Sequence, residues 1–150
     1  MGHQEIKEIR VEDLDIIPCR MKTIRVTGSS TVRPYPYELS SIMEHFIQWK
    51  NMMLKDKMYH PVIASALIHS NILHIHPFSD GNGRTARLLL LLSLQSLGYY
   101  GIEIHKEERN EYMVFLEELQ NGNPIPYFDF VTKKNLDFMK DILKNVIKFC

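Results

Sequence analysis

The residues best equipped for chemistry stand together in one short stretch, His76-Pro77-Phe78-Ser79-Asp80-Gly81-Asn82-Gly83-Arg84-Thr85-Ala86-Arg87. It combines a titratable base, a carboxylate, two glycines, an amide and two guanidiniums. A helix-period apolar segment precedes it and the leucines 88–92 follow, so it reads as a polar loop between two buried helices, the second starting at the loop. A helix N-terminus offers unpaired N–H groups and the positive end of the helix dipole, and so attracts anions. Gly81 and Gly83 can take φ > 0 and curl the backbone into an anion-binding nest. Arg84 and Arg87, three apart, share a helix face beside that nest, where guanidiniums fork onto phosphate oxygens. Asp80 would repel phosphate unless a divalent cation bridges the two, and Mg²⁺ is the usual one. His76, with an unperturbed pKa of ~6.5, is then a base beside a bound phosphate. The stretch reads as a nucleotide-handling active site.

The same residues resemble the signature of the Fic proteins, His-x-Phe-x-Asp/Glu-Gly-Asn-Gly-Arg-x-x-Arg, and match every fixed position. A weaker resemblance extends from about Arg20 to about Phe130. It implies a Fic-type helical bundle with a small β-hairpin flap. The implied activity is transfer of AMP from ATP onto a hydroxyl side chain of a target protein. His76 is then the general base and Asp80 the Mg²⁺ ligand. Gly81, Asn82, Gly83, Arg84 and Arg87 hold the phosphates, with Asn82 near the α-phosphate. Asn110, Tyr112, Met113 and Leu116 lie where similar enzymes line an adenine pocket, and of these Tyr112 is the candidate.

Each of these residues also has a plainer reading. Asp80 can cap the following helix, Asn82 can be a turn residue, and the arginines can form surface ion pairs. Tyr112 at helical spacing can be packing. Phe78 anchors the loop under either reading, and the leucine run is core. His74 with His76 has the spacing of a metal pair. A zinc site would want three or four ligands, which His60, His69 and His105 could supply only through tertiary proximity. Glu117, Glu118, Lys133 and Lys134 read as solvated.

The elements that position these groups follow from periodicity. The chain of 150 residues reads as a single domain, 45% apolar and 24% charged, with zero formal net charge. That balance favours neither nucleic acid nor an anionic membrane as partner. No apolar run approaches the ~20 residues of a membrane span, and no signal-peptide pattern opens the chain. Cys19 and Cys150 form no Cys-x-x-Cys pair and fit free thiols in a cytoplasmic protein. Residues 1–20 form a charged lead-in with a short helix or turn before Pro18. Residues 21–27 alternate, Gly28-Ser29-Ser30 is a turn signal, and a hairpin is predicted at about 22–33. In the family that hairpin is a flap that holds target backbone by strand addition. The helical core spans about 37–149, with helices at about 37–54, 60–74, 82–97, 107–120 and 127–149. The third is apolar nearly all round and is predicted to be the central buried helix. Gly98 caps it, and Asn121-Gly122-Asn123-Pro124 ends the fourth. The last helix offers Phe128, Val131, Leu136, Met139, Ile142, Leu143, Val146 and Ile147 as its core face. The class is all-α with one hairpin.

Many Fic enzymes are held off by a helix carrying Ser/Thr-x-x-x-Glu-Gly/Asn, whose Glu pairs with the second motif arginine, here Arg87. No Ser or Thr precedes Thr23, and residues 127–150 contain no Glu. Ser40 and Glu44 have the first spacing but lie on the wrong element. A separate antitoxin-like protein then supplies the glutamate, or an N-terminal inhibitory helix has been lost. Within the fold, the rivals are transfer of another nucleotide, phosphocholine or phosphate, or removal of AMP. The non-enzymatic rival is an idle nucleotide-binding or regulatory module. Phosphate-transferring relatives depart from Gly-Asn-Gly-Arg, which is intact here.

Overall fold

The computed structural model describes residues 19–25 and 31–148. The lead-in over 1–18, the hairpin turn at 26–30 and Cys150 lie outside the described residues. Five α-helices appear among those described: α1 (Leu39–Asp56), α2 (Pro61–Ile75), α3 (Asn82–Ser96), α4 (Arg109–Gln120) and α5 (Ile125–Ile147). No strand is present among them, so the segments 22–25 and 31–33, read as hairpin arms, carry no strand pairing.

Local chemistry accounts for the boundaries. Short 3₁₀ turns at Pro36–Glu38 and Lys106–Glu108 run straight into α1 and α4. Both close in the same way: the Glu38 carboxylate accepts from the Tyr35 N–H at 2.7 Å, and that of Glu108 accepts from the His105 N–H at 2.9 Å. Each supplies an acceptor to a backbone donor at a helix entry. Pro61 opens α2 at the one place where a missing N–H costs nothing. Gly98, at φ 81, lets the chain turn back after α3, with the Tyr99 N–H returning to the Leu94 carbonyl at 2.9 Å. Gly122 does the same after α4 at φ 92.

The most deeply buried helix is α2, not α3 as its composition predicts. Val62, Ala64, Ser65, Ala66, Ile68, His69, Ile72 and Ile75 of α2 are all buried, and it packs against α1, α3 and α5. Its small residues at 64–66 permit close approach. One cluster joins Val62 and Ala66 to Leu90 and Leu94 of α3, Tyr112 and Leu116 of α4, and Tyr127 and Val131 of α5. A second joins Ile68, Ile72 and Ile75 to Leu39 and Phe46 of α1 and Ala86 of α3. The polar residues of α2 disguise its position. His69, 0% exposed, sits between two tyrosines: its Nδ1 is 2.6 Å from Tyr127 Oη, and its Nε2 is 3.0 Å from Tyr112 Oη. Hydrogen-bonded in this way, a polar side chain can sit in the core. Conversely, Leu88 and Leu92 of α3 are 53% and 50% exposed, so the leucine run is only partly core. In α5 the first half is buried through Tyr127, Val131 and Asn135. Leu136, Leu143, Val146 and Ile147, read as core from their period, are exposed.

Candidate active site

The α2–α3 connection positions the chemistry. His76 is the C-cap of α2 in the left-handed conformation (φ 51, ψ 58), where its N–H still reaches the Ile72 carbonyl at 3.0 Å. Few non-glycine residues adopt that conformation; His is among the more tolerant. Asn82 then closes the loop like a clasp. Its Oδ1 accepts from the Phe78 N–H at 2.9 Å, and its Nδ2 donates to the Phe78 carbonyl at 2.7 Å. Only 4% exposed, Asn82 is thus engaged with the loop itself as well as lining the site. Gly81, the N-cap of α3, does take positive φ (84), but Gly83 does not: it lies in the first turn of α3. What glycine supplies at 83 is space. A Cβ there would stand 3.4 Å from Nη1 of Arg87.

A cleft of about 620 Å³ opens over this loop. His76, Asp80, Gly81, Asn82, Gly83, Arg84, Arg87 and Tyr112 all line it, so the residues singled out from sequence converge on one cavity. Met113 and Leu116 join them; Asn110 does not. The size suits a small-molecule ligand. Five Arg and Lys side chains (Arg33, Arg84, Arg87, Lys106, Arg109) face two carboxylates (Asp80, Glu117) around it. In a chain of zero formal net charge, that concentration of cations, at the amino end of α3, selects an anionic ligand.

His76 Nδ1 lies 3.3 Å from the Leu73 carbonyl. A carbonyl only accepts, so Nδ1 carries the proton and Nε2 is left as the proton acceptor. Burial lowers the pKa of His76; the Leu73 contact opposes this, and the charges of Arg33 and Arg20 add to the lowering. The net shift favours the neutral ring, the form a general base requires.

Asp80 is held by its neighbours: Oδ1 accepts from the Gly81 N–H at 2.6 Å and Oδ2 from Arg84 Nη2 at 3.1 Å. The Asp80–Arg84 pair is exposed, at 91% and 75%. Among the described residues no cluster of three or more His, Cys, Asp or Glu could hold a metal by itself. This also removes the zinc reading of His74 and His76 for those residues. An exposed carboxylate on a cleft lined with cations still suits Mg²⁺, which keeps several waters and takes one or two carboxylates together with substrate phosphates.

Sequence reasoning missed several residues here. Glu117, read as solvated, lines the cleft, and its charge raises the pKa of Arg33 while burial lowers it. Arg33 is 6% exposed and reaches the His74 carbonyl at 3.4 Å. Thr31 hydrogen-bonds Gln120 of α4, which brings the segment before α1 against the cleft. None of these contacts follows a local spacing.

Comparison with known proteins agrees with the loop. The Fic/DOC family model matches residues 3–94. A protein adenylyltransferase Fic from Aedes aegypti is 40% identical over 109 residues, covering 71% of this chain and 22% of the relative. One of the same name from Drosophila yakuba is 41% identical over an equal span. The chain therefore spans about a fifth of the length of these curated relatives. Among solved structures, Fic-1 from C. elegans superposes with TM-score 0.79 at 25% identity, covering 89% of this chain and 38% of that one. A Fic domain containing signaling protein from Bacteroides thetaiotaomicron gives TM-score 0.73 at 26% identity, covering 80% and 51%. With its signature loop at the meeting of α2 and α3 and its matched span, the chain belongs to the Fic/DOC family.

Proposed function

We propose that this chain is a protein adenylyltransferase that moves AMP from ATP onto a Ser, Thr or Tyr hydroxyl of a target protein, with His76 as general base. The observation that carries the reading is the imidazole itself. Its pKa is lowered, chiefly by burial, its Nδ1 is turned to the Leu73 carbonyl, and it lines one cleft with the amino end of α3, Arg84 and Arg87. The relatives named protein adenylyltransferase support the activity.

The triphosphate lies against the Gly81–Gly83 backbone and the two guanidiniums, which orient it and disperse its charge. Asp80 is the residue that would hold Mg²⁺, and the ion when bound would neutralise phosphate charge. The target hydroxyl oxygen attacks the α-phosphorus, a new P–O bond forms, and the bond to the β-phosphate oxygen breaks. Pyrophosphate departs with that electron pair, and His76 Nε2 takes the hydroxyl proton. Tyr112, Met113 and Leu116 offer an apolar wall for the base. Exposed Val32, next to the cleft-lining Arg33, marks where a target segment would be presented.

The test is mass spectrometry of the chain, and of lysate proteins, after incubation with Mg²⁺ and mixed nucleotides. Proteins heavier by one AMP moiety are expected. His76→Ala should lower transfer by about 10²–10⁴-fold while leaving ATP affinity within a few fold. Undiminished transfer by that variant would overturn the assignment of the base.

A further inference from the structure

Arg20 lies outside the loop signature, yet it is only 3% exposed. Its guanidinium reaches backbone carbonyls of three separate segments. Nε donates to the His76 carbonyl at 2.8 Å, Nη1 to that of Lys22 at 3.0 Å, and Nη2 to that of Pro34 at 2.5 Å. Its own backbone N–H donates to the Pro77 carbonyl at 2.8 Å. Lys22 and Pro34 belong to the two described stretches that precede α1. His76 and Pro77 begin the catalytic loop.

The contact with His76 falls where the backbone is least ordinary. At φ 51 and ψ 58 the direction of the His76 carbonyl depends on a conformation that side chains other than glycine seldom keep unaided. Such a conformation persists when its surroundings over-determine it. Arg20 supplies that constraint from one side, and the Ile72 carbonyl, accepting the His76 N–H at 3.0 Å, from the other. A fork of rigid donors can serve three carbonyls in three directions, which a single ammonium cannot.

We propose that Arg20 is a positioning residue: its guanidinium ties the backbone at Lys22 and at Pro34 to the carbonyl of His76, and so holds the left-handed turn that sets the direction of the imidazole in the cleft. This rests on the reading of His76 as general base. Charge gives an independent signature. The charged and titratable groups that line the cleft with His76 are Arg33, Asp80, Arg84, Arg87, His105, Lys106, Arg109 and Glu117, Arg20 contacts its carbonyl, and His74 stands two residues before it on α2. Of these, Arg33 and Arg20 contribute to holding the imidazole neutral.

The experiment compares the parent chain with Arg20→Gln, Arg20→Lys and His76→Ala. It measures ATP affinity, automodification rate with ATP and Mg²⁺, and the NMR titration of the His76 imidazole. Arg20→Gln is expected to bind ATP within about threefold of the parent and to automodify at least about tenfold more slowly, the scale of a displaced catalytic group. Its His76 should titrate at higher pH. Arg20→Lys should keep the titration near the parental position and still be slowed. A folded Arg20→Gln with parental rate and parental titration overturns the proposal. So does a rate loss that merely follows lost ATP affinity. Should Arg20→Gln fail to fold, Arg20→Lys decides, and a parental rate there overturns the proposal. If His76→Ala automodifies as well as the parent, the functional reading fails instead, and the titration still reports whether Arg20 acts on the imidazole.

Discussion

Tyr127→Phe removes one oxygen from the centre of the molecule and leaves the ring packing in place. Tyr127 is 0% exposed, and its hydroxyl contacts His69 Nδ1 at 2.6 Å and the Ala66 carbonyl at 3.3 Å. Without it, Nδ1 of an equally buried imidazole loses its partner. An unsatisfied buried polar group costs about 1–3 kcal/mol. For a chain of this length, each kcal/mol lowers the melting temperature by about 2–4 °C. A cost near the middle, about 2 kcal/mol, thus corresponds to a drop of about 4–8 °C. Tyr112→Phe removes the partner of the other ring nitrogen and should cost a similar amount. Since both act on one ring, the double variant should depart from additivity by at least about 0.5 kcal/mol. A pH series adds a second reading. Burial pushes the pKa of His69 down to about 3, with a smaller contribution from Arg87. The folded state therefore binds fewer protons than the unfolded chain between that value and the ordinary ~6.5. The contribution to stability is complete above the ordinary value and declines as pH falls toward about 3, by at most about 1.4 kcal/mol per pH unit. Urea denaturation from pH 7.5 to 4.5 measures it. A Tyr127→Phe melting temperature within 1 °C of the parent (roughly the error of the conversion), or a His69 resonance titrating near ~6.5 in the folded protein, would refute the reasoning.

Two further outcomes concern the cleft. His76 must be neutral to accept a proton, and its pKa lies below the ordinary ~6.5. Transfer should therefore hold its rate as pH falls to about 6.5 and decline only below it; a rate already halved at pH 7 contradicts this, and a stopped assay over pH 5–8 decides. Asp80→Asn removes the negative charge that pairs with Arg84 at 3.1 Å. An exposed pair of this kind is worth about 0–1 kcal/mol, so metal-free ATP affinity should stay equal or tighten by up to about fivefold while Mg²⁺-dependent transfer is lost. Calorimetry with and without chelator checks it.

Helices were legible because apolar period and punctuation agree: Pro61, Gly98 and the Asn121–Pro124 run stand where elements begin and end. The loop was legible because its residues are adjacent in sequence, so spacing alone brings His76, Asp80, Arg84 and Arg87 to one cleft. What spacing could not carry is pairing across the chain. His69 looks like a polar residue on a half-wet helix until Tyr112 and Tyr127, 43 and 58 residues away, supply its hydrogen bonds. Leu88 and Leu92 look like core because hydrophobicity reports a preference for burial and not a partner to be buried against. Glu117 looked solvated because Arg33 is remote in sequence. The errors thus share one cause, the long-range contact, and they run in both directions, underrating α2 and overrating α3.

The arrangement of the loop suggests why it suits an exchangeable, charged ligand. Its constraints act on the backbone: the two-pronged clasp of buried Asn82 on Phe78, the α2 cap at His76, and the positive φ of Gly81. These fix the backbone N–H groups without using the charges that face the cleft. Within the loop's own charges, Asp80 and Arg84 are held by contrast in an exposed pair. A surface pair is cheap to open, and a phosphate arriving with a divalent cation gives each partner a better one. On the proposed function, rigid backbone and lightly held charge together would let the site accept a triphosphate without reorganising the loop, which is the form of preorganisation that electrostatic catalysis requires.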